Sequence, residues 1–228
     1  MMLVEDYVSD FQLHLVSRNE LRFCDIERLA RGRYREVYGA DLDLTAHDFV
    51  WLEPHGMAGA GAVASITSAA TTRLFSEQYL DQPCDQLITQ RERKLVSRNH
   101  IAELGTFAAS DPGAGVDLFQ ILPLVAWLRG FRYAIMTAVP DIRSLLAESG
   151  VPFVALANAR AEALPLDRRA RWGSYYAHGP ITGYVALEQP AADAAVSLLL
   201  RRFDPALLRR RFDQIGMPVQ APPASVAL

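Results

Sequence analysis

Lysine is all but missing from this chain: Lys94 is the only one, so positive charge rests on arginine. Cysteine is scarce too. Cys24 and Cys84 are too few to staple a fold, which excludes a disulfide scaffold and predicts a reduced, cytoplasmic setting. The longest weakly polar run, 57–70, is rich in alanine and glycine and falls short of the ~20 apolar residues that cross a bilayer. The segment MMLVEDYVSD is acidic and lacks the basic-then-apolar order of a secretion signal, so none is expected. The five histidines show no metal spacing, and no metal site is expected. Ser174 and His178 sit in no GxSxG elbow, and Cys84 has no histidine placed to activate it. A net charge of −3 argues against general nucleic-acid binding.

What is present is a chain of 228 residues, half of them hydrophobic, enough for one well-filled domain. Phe11–Val16 alternates as a strand, and Ser17 and Glu20 are spaced as a capping box. Ile26, Leu29, Ala30, Tyr34, Val37 and Tyr38 then recur at helical spacing, up to Gly39. Phe49–Glu53 and Gly61–Ser68 read as a hairpin turning at Pro54–Gly56. Helices are expected over Leu74–Leu80 and Asp85–Val96, and a strand over Ile101–Ala108. A helix over Val116–Arg129 should kink or shorten at Pro123. Strand Tyr133–Ala138, helix Asp141–Glu148 and strands Phe153–Ala157 and Ile181–Leu187 complete the pattern. This order predicts an α/β fold whose mixed sheet is antiparallel early, with one parallel crossover at its centre. Residues 1–188 form one domain on this reading. Residues 189–228 form an appendage, helical over Ala191–Phe212 with a break at Pro205.

The junction IAELGTFAAS-DPGAG carries most of the chemistry. Alternation sets Ile101, Glu103, Gly105 and Phe107 on one face of the strand, with Ala102, Leu104 and Thr106 on the other. A carboxylate among such neighbours loses water, which raises its pKa toward that of a general base; the alternative is a structural glutamate. Gly113, Ala114 and Gly115 can turn the backbone so that amides and a helix N-terminus face a phosphate, or can be an ordinary strand-to-helix turn. In LFSEQYLD, Leu74, Phe75, Tyr79 and Leu80 are expected to pack, leaving Glu77 or Gln78 for substrate or for structure. WGSYY reads as a loop whose Trp172, Tyr175 and Tyr176 either line a pocket, with a tyrosine as proton donor, or cap the core. Arg33 either pairs with an acceptor carboxylate or Glu103, or is solvated.

Four strings, YREVYGA at 34–40, LFSEQYLD at 74–81, IAELGTFAA at 101–109 and WGSYYAHGP at 172–180, resemble the thermostable hemolysin family, over roughly Leu13 to Leu187. That family is similar to the GCN5-like N-acetyltransferase (GNAT) fold and, within it, to acyl-homoserine-lactone synthases, which also carry an acid in the central strand. The resemblance implies a GNAT-like mixed sheet flanked by helices, with a helical C-terminal appendage. It implies acyl transfer from acyl-CoA or an acyl-phosphopantetheine on a carrier protein to a small-molecule amine, with no tightly bound cofactor. Glu103 is then the base and the Phe107 main chain the oxyanion donor. Thr106, Phe107 and Ala108 hold the thioester arm, and Gly113, Ala114 and Gly115 its phosphate. Tyr175 is a proton donor, and Arg33, Glu77, Trp172 and Tyr176 contact substrate. SDPGAG matches the glycines of the GNAT phosphate loop, Gln/Arg-x-x-Gly-x-Gly/Ala, but not its first residue. No tyrosine occupies PDIRSLLAESG, where such enzymes keep their acid.

Two other readings stand beside this one. The family name implies a membrane-active protein, for which the arginine-rich tail is the support, although membrane contact is not expected from the chain itself. A GNAT-like domain can also bind a partner without turnover.

Overall fold

A computed structural model of the chain describes residues 11–54 and 61–192. Seven strands form: β1 (Phe11–Ser17), β2 (Asp48–Pro54), β3 (Ala62–Ser68), β4 (Ile101–Ala109), β5 (Tyr133–Ala138), β6 (Val154–Asn158) and β7 (Ile181–Ala186). They build one sheet in the order β1-β2-β3-β4-β5-β7-β6. Every neighbouring pair is antiparallel except the central β4–β5 pair, as the sequence order predicts. The turn expected at Pro54–Gly56 and the helix expected over Ala191–Phe212 fall outside or mostly outside the described residues.

Four helices cover the sheet: α1 (Phe23–Tyr38), α2 (Cys84–Glu92), α3 (Pro112–Leu128) and α4 (Pro140–Glu148). On one face Ile26 and Ala30 of α1 pack on Phe49, Trp51, Val63 and Ala108, and beside them Cys84 and Ile88 of α2 meet Ile101, Ile135 and Tyr184. On the other face Leu118, Phe119 and Leu122 of α3 and Leu146 of α4 close over Val50, Ala64, Leu104 and Val185. Each such large side chain, fully buried, contributes about 2 kcal/mol. Among the described residues no helix is long and apolar enough to cross a membrane.

Several boundaries differ from expectation for local reasons. Glu20 does reach back to the Ser17 amide (2.8 Å), but the box closes a turn and α1 starts later, at Phe23. Val37 is half exposed instead of joining the core. α2 stops at Glu92 instead of Val96, because Arg93 turns left-handed (φ 53°) and the Thr89 hydroxyl takes the Val96 amide (3.0 Å). LFSEQYLD makes a 3₁₀ turn, Phe75–Tyr79, in place of an α-helix. α3 runs through Pro123 and begins at Pro112, four residues earlier than expected. Gly113, Ala114 and Gly115 therefore lie in its first turn and not in a loop before it.

Two irregularities in β4 create the site. Its pairing with β5 lasts only from Ile101↔Tyr133 to Glu103↔Ile135, after which the two strands separate. Its pairing with β3 slips between Ser65↔Gly105 and Val63↔Ala108, where Thr106 takes φ 48°. Such a bulge adds one residue and resets the alternation of faces. Phe107 consequently turns to the α3 face, against Phe119 at 5.9 Å, and Ala108 to the α1 face. The sequence expectation that Phe107 shares a face with Glu103 is therefore corrected.

Candidate active site

Glu103 projects from β4 just before the split. The 3₁₀ turn that follows Leu74 presents its first amides to this carboxylate: Phe75 N–H donates to Oε2 (2.8 Å) and Ser76 N–H to Oε1 (2.7 Å). The Ser76 hydroxyl also donates to Oε1. Three of roughly four lone-pair sites are thus filled, and one on Oε2 stays open. Burial pushes the Glu103 carboxyl up. The Ser76 and Phe75 donors pull it partly back, and the nearby Glu77 charge adds to the rise. The net effect is upward, the direction that makes a carboxylate a stronger base.

The same serine oxygen lies 3.1 Å from the Thr137 hydroxyl, which lies 2.8 Å from that of Thr182. Tyr175 donates its hydroxyl to the Thr137 carbonyl (3.1 Å), so that proton is directed at main chain and away from the cavity. Tyr79 and Tyr176 share a 2.5 Å hydroxyl contact. Burial raises the Tyr34, Tyr79, Tyr175 and Tyr176 phenols, so all four stay un-ionised at neutral pH.

Two cavities meet at the split. The first, about 100 Å³, is walled by Phe75, Glu103, Trp172, Asp43, Ser65 and Thr67 among others. The second, about 130 Å³, lies on the α3 side and is apolar, with Ala64, Phe107, Phe119, Leu122, Met136 and Ile142 in its wall. Tyr34, Leu104, Gly105, Thr106, Thr137 and Tyr175 belong to both. From Leu104 to Phe107 the main chain has no ladder partner on its β5 side, so its polar groups are free to meet whatever enters between the strands.

Of the residues singled out in the sequence, Glu103, Thr106, Phe107, Trp172 and Tyr175 converge here. Tyr176 stands one shell out, edge-on to Trp172 at 6.0 Å. Ala108 is buried on the α1 side and lies outside both cavities. Gly113, Ala114 and Gly115 lie at the α3 N-terminus. There the Ala114 amide is taken by the Asp111 carboxylate (2.9 Å) and the Gly115 amide by the Asp111 carbonyl (3.2 Å). Arg33 is paired with Glu36 at 2.6 Å on the exposed side of α1.

Glu77 is not free for substrate. It is 4% exposed and gripped by Arg98 (2.6 and 3.0 Å), the Leu74 amide (2.8 Å) and the Cys84 amide (3.0 Å). Burial alone would raise its carboxyl, but these bonds outweigh that and hold it down at about 2. Its role here is to fold the Leu74–Leu80 turn so that Phe75 and Ser76 face Glu103. Gln78 likewise donates to the Phe75 carbonyl (2.8 Å).

Sequence reasoning missed Ser76, Thr137 and Tyr34. Ser76 was hidden beside two more conspicuous polar neighbours. Thr137, a hydroxyl inside the apolar strand YAIMTA, was the visible signal. Tyr34 looked like one more apolar position on the helix.

A mixed seven-stranded sheet that splits at its central parallel pair, with a bulge beside the split, is the GNAT-like fold. Solved structures bear this out at low identity. The acyl-homoserine-lactone synthase LasI superposes with TM-score 0.54 at 10% identity, covering 82% of this chain and 94% of that one. FeeM, an N-acyl amino acid synthase from uncultured soil microbes, gives 0.54 at 13%, covering 78% and 93%. BjaI, a CoA-dependent acyl-homoserine lactone synthase, gives 0.52 at 14%, covering 92% and 91%. No curated protein matches in sequence. The chain belongs to the thermostable hemolysin family, whose model matches residues 16–190.

Proposed function

We propose that this protein is an acyltransferase that moves an acyl group from a phosphopantetheine thioester, of coenzyme A or a carrier protein, to the amine of a small molecule. One observation carries the reading: a carboxylate of raised pKa stands at the floor of one cavity, and unpaired β4 main chain separates it from a second, apolar cavity. Donor and acceptor can therefore enter from opposite faces and meet at the split. The structural neighbours, lactone synthases and an N-acyl amino acid synthase, support the same chemistry.

The thioester arm lies along the split with its acyl chain toward Phe107, Phe119 and Leu122. The amine nitrogen, in its neutral form, attacks the thioester carbon, and a C–N bond forms. The carbonyl oxygen gathers charge and is met by the Phe107 main-chain N–H, a kind of contact worth about 3 kcal/mol in acyl transfer. The open lone pair of Glu103 takes the proton leaving nitrogen. The C–S bond then breaks, and the thiolate leaves and takes up a proton. Tyr34 lines both cavities and burial keeps its phenol protonated, so it is placed to supply that proton. The products are an amide and a free thiol.

The test is release of free thiol and formation of an amide from a panel of acyl-CoAs and acyl-carrier proteins with mixed amines, read by mass spectrometry. Turnover by the natural chain that Glu103→Gln lowers at least a hundredfold is the expected result. No product from any thioester, with no thermal stabilisation by any, would remove the proposal.

A further inference from the structure

The geometry points to the class of acceptor: a cationic amine that carries no free carboxylate and has a flat or short apolar body. This inference rests on the acyltransfer reading for the use of the amine but not for its recognition.

Two carboxylates, Glu103 and Asp43, line the acceptor cavity. Among the described residues no arginine, lysine or histidine does. Arg171, which precedes Trp172 of the wall, is already engaged by Asp41 (3.2 Å) and Asp43 (3.5 Å), and Asp41 also meets Arg31 (3.5 Å). Arg33, the other basic residue expected near an acceptor, is held by Glu36. An amino acid entering amine-first would bring its carboxylate beside Glu103 and Asp43, with no uncommitted cation to receive it. Like charges so juxtaposed discriminate against the wrong ligand.

The rest of the wall fits the complement. Phe75 and Trp172 lie tilted to each other at 5.4 Å, Trp172 and Tyr175 likewise at 5.1 Å, and Tyr34 meets Trp172 edge-on at 6.4 Å. Aromatic faces beside a carboxylate hold an ammonium or an aryl group equally well. At about 100 Å³ the cavity admits a body of roughly one ring. Once the ammonium has given one proton to solvent, the remaining transfer balances as already described.

Calorimetric titration of the full chain with phenethylamine, phenylalanine methyl ester and phenylalanine separates the possibilities. The three share one body and differ in the carboxylate. The amine and ester are expected to bind at least tenfold more tightly than the amino acid. Asp43→Asn should narrow that ratio severalfold, and Thr45→Arg, a cation added at an exposed position of the wall, should bring the amino acid within about threefold of the amine. Equal or tighter binding of phenylalanine by the natural chain overturns the inference, as does failure of all three to bind. Selective amine binding without product from any thioester upholds this acceptor class and removes the acyltransfer reading, so the two fail separately.

Discussion

Ser76 gives both its amide and its hydroxyl to the same oxygen of Glu103. One residue of a 3₁₀ turn thereby fixes where the open lone pair of the carboxylate points, toward the cavity and away from the turn. Because this bond also lowers the Glu103 pKa against the larger effect of burial, Ser76→Ala should raise that pKa further. Activity needs ionised Glu103, so it falls as pH drops through this pKa. The acidic limb of the pH–rate profile should move to higher pH in Ser76→Ala, with kcat at neutral pH down about tenfold. An unmoved limb would detach Ser76 from the base.

Glu77 and Arg98 form a different kind of pair, one that shapes the site without entering it. Removing one partner leaves a buried charge uncompensated, so Arg98→Ala should cost about 3 kcal/mol in chemical unfolding. The folded-state pKa of Glu77, about 2, lies below its ordinary value of 4.5. Its contribution to stability is therefore complete above pH 4.5 and is lost as pH falls toward 2. The natural chain should lose stability steeply across that window, and Arg98→Ala much less so.

Gly173 sets the height of Trp172. Its φ is +50°, and a methyl group there would run into the Tyr38 carbonyl and the Gly39 backbone, onto which Ser174 N–H also bonds (2.8 Å to the Tyr38 oxygen). Gly173→Ala should cost about 2 kcal/mol and shift the Trp172 ring off the cavity wall. Thermal denaturation and the loss of ligand-dependent tryptophan fluorescence check both parts.

Asp111 takes the Ala114 and Gly115 amides at the α3 N-terminus, where the proposed acyltransfer would seat a donor phosphate. Asn caps a helix as well as Asp does but carries no charge. Asp111→Asn should therefore keep the melting temperature within a degree or two and tighten acyl-CoA binding severalfold. Unchanged affinity would indicate that the phosphates lie elsewhere.

Much of this was legible beforehand because it follows from local pattern. Period-two runs gave the strands, helical spacing gave α1 and α4, and a lone acid in an apolar strand singled out Glu103. What escaped depends on residues distant in sequence. Nothing around Glu77 says that Arg98, twenty-one residues on, will neutralise it, so the sequence leaves it open between a substrate contact and a structural role. Nothing in SDPGAG says that the aspartate will cap the very amides the glycines expose. Nor does the local pattern say where β4 will bulge, since Gly105 is the conformationally permissive residue there. The bulge forms at Thr106, a β-branched residue for which positive φ is strained, at the edge of two cavities.

That single extra residue has a consequence for how such a protein can diversify. Up to Gly105, β4 addresses the α1 side through Glu103; past Thr106, Phe107 addresses the α3 side. Residues a few positions apart on one strand thus answer to separate pressures. Substitutions at Phe107, Phe119 or Leu122 can retune the chain accommodated on one side while Phe75, Asp43 and Trp172 stay as they are, and the reverse holds equally. Without the bulge, Phe107 would fall on the Glu103 face and be lost to the α3 side.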